Sequence, residues 1–391
     1  MRTDIGVGVV GFGWMGQAHS RSLLRAPTLF RGSAYRPRLV VCADSDPDRR
    51  EQATGDFGFS EATEDWRKVV AHPDVRAVWV TAPNMLHVEV VSAAAAAGKA
   101  VFCEKPVGGT PAQTVRAEAA CRAAGVRTGV GYNYRWAPLV QYAKRLISAG
   151  AIGEVVHYRG SFFSMYGADP LGLLSWRFLV EQGGHGASSD LLSHTVDLAT
   201  FLVGPVARVL ATTATFIADR PLPRPGAGTH YSRGAPGDPT GAVTNEDYIG
   251  ALAELESGAR ATFEACRTFT GPESQNAFTV YGTKGGISWN LEELNELQVY
   301  LPGADLHAGW TTVHGGDRFP YHGAFAPGDA NGIGFEDLIA IEDHEFCSAV
   351  ADDRPFHPGF DDAVRFVSVQ DALLRSAASG SWQDVIDLTE R

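Results

Sequence analysis

Apolar residues in the first third of the chain fall in short runs, each closed by glycine, proline or a polar residue. Ile5 to Val10 is long enough for a buried strand, and Leu39 to Ala43 forms a second. Val75 to Val80, Ala100 to Cys103 and Val126 to Gly131 follow. Helix-compatible stretches separate them. One runs from Met15 to Arg25, and an alanine-rich one runs from Leu86 to Ala97, where Gly98 stops it as a C-terminal cap. Thr110-Pro111-Ala112-Gln113 reads as a capping box with proline at the first helical position. Apolar strands alternating with helices predict a parallel sheet covered on both faces. In such sheets ligands gather at the carboxyl ends of the strands.

Further along, the pattern changes to longer β segments: Val155 to Phe163, Val206 to Ile217, Asp247 to Glu256 and Ala259 to Arg267. Glu256-Ser257-Gly258 is a hairpin turn between the last two. Phe278 to Tyr281, Gly286 to Trp289 and Gln298 to Leu301 continue the series. One helix is expected from Ala187 to Leu202, and two more, Phe335 to Cys347 and Asp361 to Ser376, close the chain. Pro221 to Thr244 and Pro302 to Gly334 are rich in glycine and proline. Loops of that length suit a substrate cover or a contact with a neighbouring subunit. The second contains His307, His314 and His322, whose spacing fits no metal motif, so no metal is expected.

Composition narrows the function. The 391 residues suggest two domains, read as 1–135 and 136–391. A net charge of −12 argues against nucleic acid or an anionic membrane as partner. No apolar run approaches the ~20 residues of a membrane span. The N-terminus enters a strand directly, without a signal-peptide pattern. The five cysteines are scattered and show no CxxC, so reduced thiols and a cytoplasmic location are expected.

The chemistry begins at Gly11-Phe12-Gly13-Trp14-Met15-Gly16, between the first strand and the first helix. This is the order a dinucleotide fingerprint requires. The first glycine makes the turn, the second admits a pyrophosphate, and the third lets the helix pack close. Helix-start N–H groups then face the anion. Asp44 ends the second strand, where an acid can accept both ribose hydroxyls of NAD and repel the 2′-phosphate of NADP. Asp46, before Pro47, fits the helix cap and leaves Asp44 for this role. Arg49 and Arg50 are the residues that could favour NADP instead. Asp44 lies farther from the glycines than usual, consistent with an insertion at Pro27 to Pro37. Asp44, Asn84, Lys105 and Asn133 all fall at strand carboxyl ends. Asp190, His194 and Asp197 share one helix face by their i, i+4, i+7 spacing. Histidine beside a carboxylate suits proton transfer. His19 reads as a packed core histidine.

Together these segments resemble the Gfo/Idh/MocA oxidoreductases. The carriers are the glycine fingerprint, Thr81-Ala82-Pro83-Asn84 with His87, Glu104-Lys105-Pro106, and Asp190 with His194. Ser175-Trp176-Arg177 and Asn295-Glu296-Leu297 look closest to sugar dehydrogenases of the levoglucosan or inositol dehydrogenase kind. The resemblance implies a Rossmann domain followed by an α/β domain with an open, mostly antiparallel sheet, and a homodimer or homotetramer built on that sheet. It implies Lys105, Asp190 and His194 as the catalytic group, acting from two domains on one alcohol beside nicotinamide. It also places Asn84, His87 and Glu104 near the cofactor. Asn133 and Arg135 face nicotinamide or substrate, with an interdomain ion pair as the other reading of Arg135. Trp176 and Arg177 line the sugar pocket or belong to the core. The implied reaction is NAD-dependent oxidation of a ring hydroxyl of a sugar or cyclic polyol. A glycosidase using transient oxidation and a non-catalytic NAD(P)-binding regulator are the competing readings.

Overall fold

A computed structural model describes residues 2–223, 232–301 and 309–390. The chain forms two compact units. The first comprises Met1–Gly108, Ala112–Trp136 and Ile333–Val364; the second comprises Gly109–Pro111, Ala137–Gly332 and Arg365–Arg391.

In the first unit the strands are β1 (Thr3–Val10), β2 (Tyr35–Ala43), β3 (Glu61–Thr63), β4 (Ala77–Val80), β5 (Ala100–Cys103) and β6 (Thr128–Val130). They pair in parallel in the order β3-β2-β1-β4-β5-β6. The helices are α1 (Trp14–Leu29), α2 (Pro47–Gly55), α3 (Trp66–Ala71), α4 (Asn84–Ala96) and α5 (Pro111–Ala124). β4 and β5 are buried at every position, as unalternating apolar runs require. This is the Rossmann arrangement, with strand order reversing beside β1.

One expectation changes here. The proposed insertion at 27–37 is largely absorbed, because α1 continues through Pro27 to Leu29 and β2 already begins at Tyr35. A proline near the end of a helix loses one hydrogen bond, while Leu23 and Ala26 on this helix stay buried. Tyr35 is buried and anchored through its hydroxyl, 2.6 Å from His344 Nδ1.

The second unit is built on a nine-stranded mixed sheet. Its helices are α6 (Pro138–Ser148), α7 (Val180–Gly183), α8 (Ala187–Asp190) and α9 (Leu192–Val203). Its strands begin with β7 (Val155–Ser164), β8 (Val206–Ala214), β9 (Asp219–Pro221), β10 (Thr240–Ala242) and β11 (Tyr248–Leu255). They continue with β12 (Arg260–Cys266), β13 (Ser274–Gly282), β14 (Gly286–Asn290), β15 (Glu296–Tyr300), β16 (Thr311–His314) and β17 (Gln383–Asp384). The order is β16-β15-β14-β13-β7-β12-β11-β8-β17, antiparallel except for β12 beside β7. β9 and β10 form a separate ribbon.

α9 covers one face of this sheet. Gly160 on β7 permits the close approach, since a Cβ there would lie 2.5 Å from Thr195 Cγ2. The Tyr158 hydroxyl donates to the Thr195 carbonyl at 3.2 Å. The opposite face holds a depression of about 830 Å³ lined by residues that include His157, Arg159, Leu252, Thr262 and Glu264. On this face Leu252 is 51% exposed and Tyr281 44%.

α10 (Phe335–Ala351) returns to the first unit, whereas α11 (Phe360–Ser379) starts in the first and ends in the second. Two consecutive blocks along the sequence do not anticipate that return. Among the described residues, no helix is long and apolar enough to cross a membrane.

Candidate functional site

The glycine turn between β1 and α1 is held by sterics. Gly11 has φ 93°, and a Cβ on it would lie 2.5 Å from the Ala82 backbone nitrogen. A Cβ on Gly16 would run into the Gly11 carbonyl oxygen. Gly13 differs: the nearest atom to a Cβ there is Arg49 Nη1 at 3.8 Å, so the backbone lies open. Gly13 also caps α1 without a side-chain hydrogen bond, and no acid occupies the first turn. The helix-start N–H groups thus meet no carboxylate from their own turn, which fits a pyrophosphate. Trp14 and Met15 open the helix. Trp14 is 61% exposed and its ring stacks on Phe335 at 5.4 Å. The Phe12 side chain points inward, edge-on to Phe57 and Phe59.

Asp44 is more occupied than its place at a strand tip suggests. Its Oδ2 accepts the Phe12 N–H at 2.6 Å and its Oδ1 the Asp46 N–H at 2.9 Å. It therefore staples the glycine loop to the end of β2. Arg49 Nη1 lies 3.5 Å from the same carboxylate. Asp46 caps α2 as expected, accepting the Asp48 N–H at 2.9 Å.

Asn84 starts α4 just beyond β4. His87 is a correction. It is fully buried, with Nδ1 2.8 Å from the Pro106 carbonyl and Nε2 2.7 Å from the Ala82 carbonyl. Burial lowers its pKa. Both nitrogens are committed to backbone, so its work is to brace the turn after Lys105 rather than to meet a ribose. Glu104 likewise turns inward, and its Oε2 accepts the Lys105 backbone N–H at 3.2 Å. Asn133 and Arg135 lie on a 3-10 turn at the end of β6. Arg135 pairs with Asp362 at 3.2 Å, both buried; the pair lies within the first unit rather than between domains, which corrects the interdomain reading. Asn133 is buried, and among the described residues its Nδ2 has no hydrogen-bond partner.

In the second unit the expected helix over 187–202 divides at Leu191 into α8 and α9. Asp190 ends the first piece and His194 lies in the first turn of the second. α8 is fixed at its start by Glu246, whose carbonyl accepts the Ala187 N–H and whose carboxylate accepts the Ser188 N–H at 2.9 Å. Gln370 holds it from the side through Ser188 and Ser189. Tyr166, just past β7, donates its hydroxyl to Asp190 Oδ2 at 2.7 Å. Arg177 Nη1 lies 3.5 Å from Oδ1. Burial, and then the Asp190 carboxylate, pushes the Tyr166 phenol pKa up and keeps it a donor. His194 is buried, with its ring 5.9 Å from that of Phe162. Asp197 is also buried on α9.

Arg177 stacks on Trp176 at 4.6 Å. Its backbone carbonyl accepts from Asn245 Nδ2 at 3.0 Å and from Arg267 Nη1 at 3.2 Å. Arg267 forms a fully buried pair with Asp247 at 2.8 Å. Its guanidinium and that of Arg220 lie 4.6 and 4.0 Å from the Phe178 ring centre. Sequence reasoning missed Tyr166, Arg220, Asp247 and Arg267. Tyr166 alone left a signal, a polar aromatic just past the end of a strand. His307 lies outside the described residues, as do 224–231 and 302–308 of the two glycine-rich segments. His322 is buried with Nε2 2.6 Å from the Asn331 carbonyl.

Asp44→Ala should weaken NAD binding about tenfold or more, while NADP binding falls much less, measured by titration calorimetry. Equal losses would assign Asp44 to the loop alone.

Residues 5–132 match the model of an oxidoreductase family with an NAD-binding Rossmann fold, and 140–288 match a GFO/IDH/MocA C-terminal domain. Levoglucosan dehydrogenase from Pseudarthrobacter phenanthrenivorans is 36% identical over 384 residues, covering 98% of each chain. Inositol 2-dehydrogenase from Rhizobium meliloti is 25% identical over 95% of this chain and 96% of its own. A solved levoglucosan dehydrogenase in complex with NADH and levoglucosan superposes with a TM-score of 0.92 at 34% identity, over 98% of this chain and all of that one. With a cofactor cradle that admits a pyrophosphate and a second unit of matching fold, the chain belongs to the Gfo/Idh/MocA family of NAD-dependent oxidoreductases.

Proposed function

We propose that the protein oxidises a ring hydroxyl of a sugar, sugar derivative or cyclic polyol to a ketone. Bound NAD supplies the acceptor for the hydride that leaves the carbinol carbon. Gly11, Phe12, Gly13, Trp14, Met15 and Gly16 would hold its pyrophosphate end, Asp44 its adenosine ribose, and Asn84 and Lys105 its nicotinamide side. His194 takes the hydroxyl proton. Asp190 keeps His194 in its working orientation and basicity. Lys105 donates a hydrogen bond to the same oxygen and stabilises the charge that builds there. Trp176, Arg177 and Asn133 offer the substrate a stacking face and hydrogen-bond donors. The observation that carries this reading is Asp190 itself. A carboxylate held by a tyrosine and an arginine at the end of α8, four residues before a buried histidine in the first turn of α9, is a costly arrangement without a function. The levoglucosan- and inositol-oxidising relatives support the substrate class.

The half-exposed Leu252 and Tyr281 support a homodimer or homotetramer built on the uncovered sheet face. Five buried free cysteines support a cytoplasmic location.

A panel of monosaccharides, anhydrosugars including levoglucosan, and inositols should reveal a substrate by NADH absorbance, with NAD preferred over NADP. On that substrate Lys105→Ala and His194→Ala should each lower kcat by about 10²-fold or more with NADH affinity largely kept. Unchanged turnover in both would reject the assignment. Sedimentation should give a dimer or tetramer mass, and a monomer at micromolar concentration would refute the assembly.

A further inference from the structure

Deep in the first unit one imidazole stands between two carboxylates. His19 on α1 is fully buried. Its Nδ1 lies 2.9 and 3.0 Å from the two oxygens of Asp343 on α10, and its Nε2 lies 3.1 Å from Oε1 of Glu104. Trp79 on β4 donates its indole N–H to Asp343 at 2.8 Å. The second Glu104 oxygen accepts the Lys105 backbone N–H. Gly131 packs tightly on this carboxylate; a Cβ there would lie 2.7 Å from Oε1. Every link from Asp343 to Lys105 is thus a direct hydrogen bond.

A neutral imidazole has one N–H and can serve only one acid. Carboxylates at both nitrogens call for two N–H groups, which only the imidazolium has. Burial alone would lower the pKa of His19, but Asp343 and Glu104 outweigh it and hold it up at about 10. Phe102, which lies edge-on to the imidazole, and Trp79, which donates to Asp343, do not titrate. Tyr35 and Cys347, which face Asp343, are kept neutral by burial.

We propose that His19, as an imidazolium, is a positioning residue for Lys105: it fixes the Glu104 carboxylate, and Glu104 fixes the backbone that presents the lysine. The same helix that offers its first turn to the pyrophosphate would thereby also set the amine at the reacting oxygen. This inference rests on reading Lys105 as a donor to the substrate oxygen.

The test uses His19→Gln, Glu104→Gln and the double variant in the full-length protein, with NAD and the best sugar from the panel. Each single change should lower kcat about ten- to a hundredfold, with the KM for NAD within about threefold. The pH profile gives the more specific readout. Loss of the imidazolium removes a positive charge, so kcat/KM should shift toward higher pH in His19→Gln. Loss of the carboxylate should shift it toward lower pH in Glu104→Gln. The double variant should lie between them and lose no more than the worse single.

Stability supplies a readout that needs no substrate. A histidine with its folded pKa raised from 6.5 to about 10 stabilises fully below the lower value and loses that contribution as pH rises to the upper. Wild-type protein should lose melting temperature across that window, and His19→Gln should lack the slope. If His19→Gln does not fold, the nearly isosteric Glu104→Gln reads the same link. Folded singles with wild-type kcat and unshifted profiles, in a protein where Lys105→Ala is inactive, would overturn the inference alone. Shifts of both singles in one direction would also overturn it. A fully active Lys105→Ala would overturn the reading of Lys105 and this inference with it.

Discussion

The close approach of β1 and α1 is the constraint on which the first unit depends. It exists because Gly11 and Gly16 have no side chains. Gly11 takes a backbone conformation that a side chain disfavours, and Gly16 lies against its carbonyl. The Thr81 hydroxyl donates to that carbonyl at 2.6 Å, tying the turn to the end of β4. Asp44 ties it to the end of β2 through the Phe12 N–H. Three strand ends are thus brought to the start of one helix. Substitution at either glycine would separate these ends before it changed any contact with the cofactor.

The second unit solves a different problem, that of keeping charged side chains at fixed positions in an apolar surrounding. Asp190 has Tyr166 and Arg177 as partners; Arg177 in turn is held through its carbonyl by Asn245 and Arg267. Arg267 is neutralised by Asp247 beneath it. A buried pair of this kind adds little net stability, because desolvation offsets most of the attraction. Its effect is to set geometry: the Asp247 carboxylate fixes Arg267, and Arg267 fixes the Arg177 carbonyl.

Much of this was legible in the residues. β5 begins and ends where its apolar run does, and Gly98 stops α4 with φ 69° as a C-terminal cap should. The fingerprint and the Asp46 cap also read directly, because each depends on neighbours within a few positions. Long-range partners did not. Nothing near His19 in sequence points to Asp343, 324 positions away, and the residue reads as ordinary core. Asp44 looked free because its partner, the Phe12 N–H, belongs to another loop. His87 looked ligand-facing because the family resemblance places it near the cofactor, and only the fold shows its two carbonyls. The division at Leu191 escaped because an apolar, helix-compatible run does not record where the helix bends.

The central claim is that a carbinol hydrogen of the substrate passes directly to the cofactor. The most direct measurement uses the panel substrate with deuterium at its ring carbon positions and mass analysis of the nicotinamide product after one turnover. Direct transfer predicts NADH heavier by one mass unit and a ketone product. Unlabelled NADH, or cofactor recovered oxidised with the sugar cleaved instead, would contradict the account.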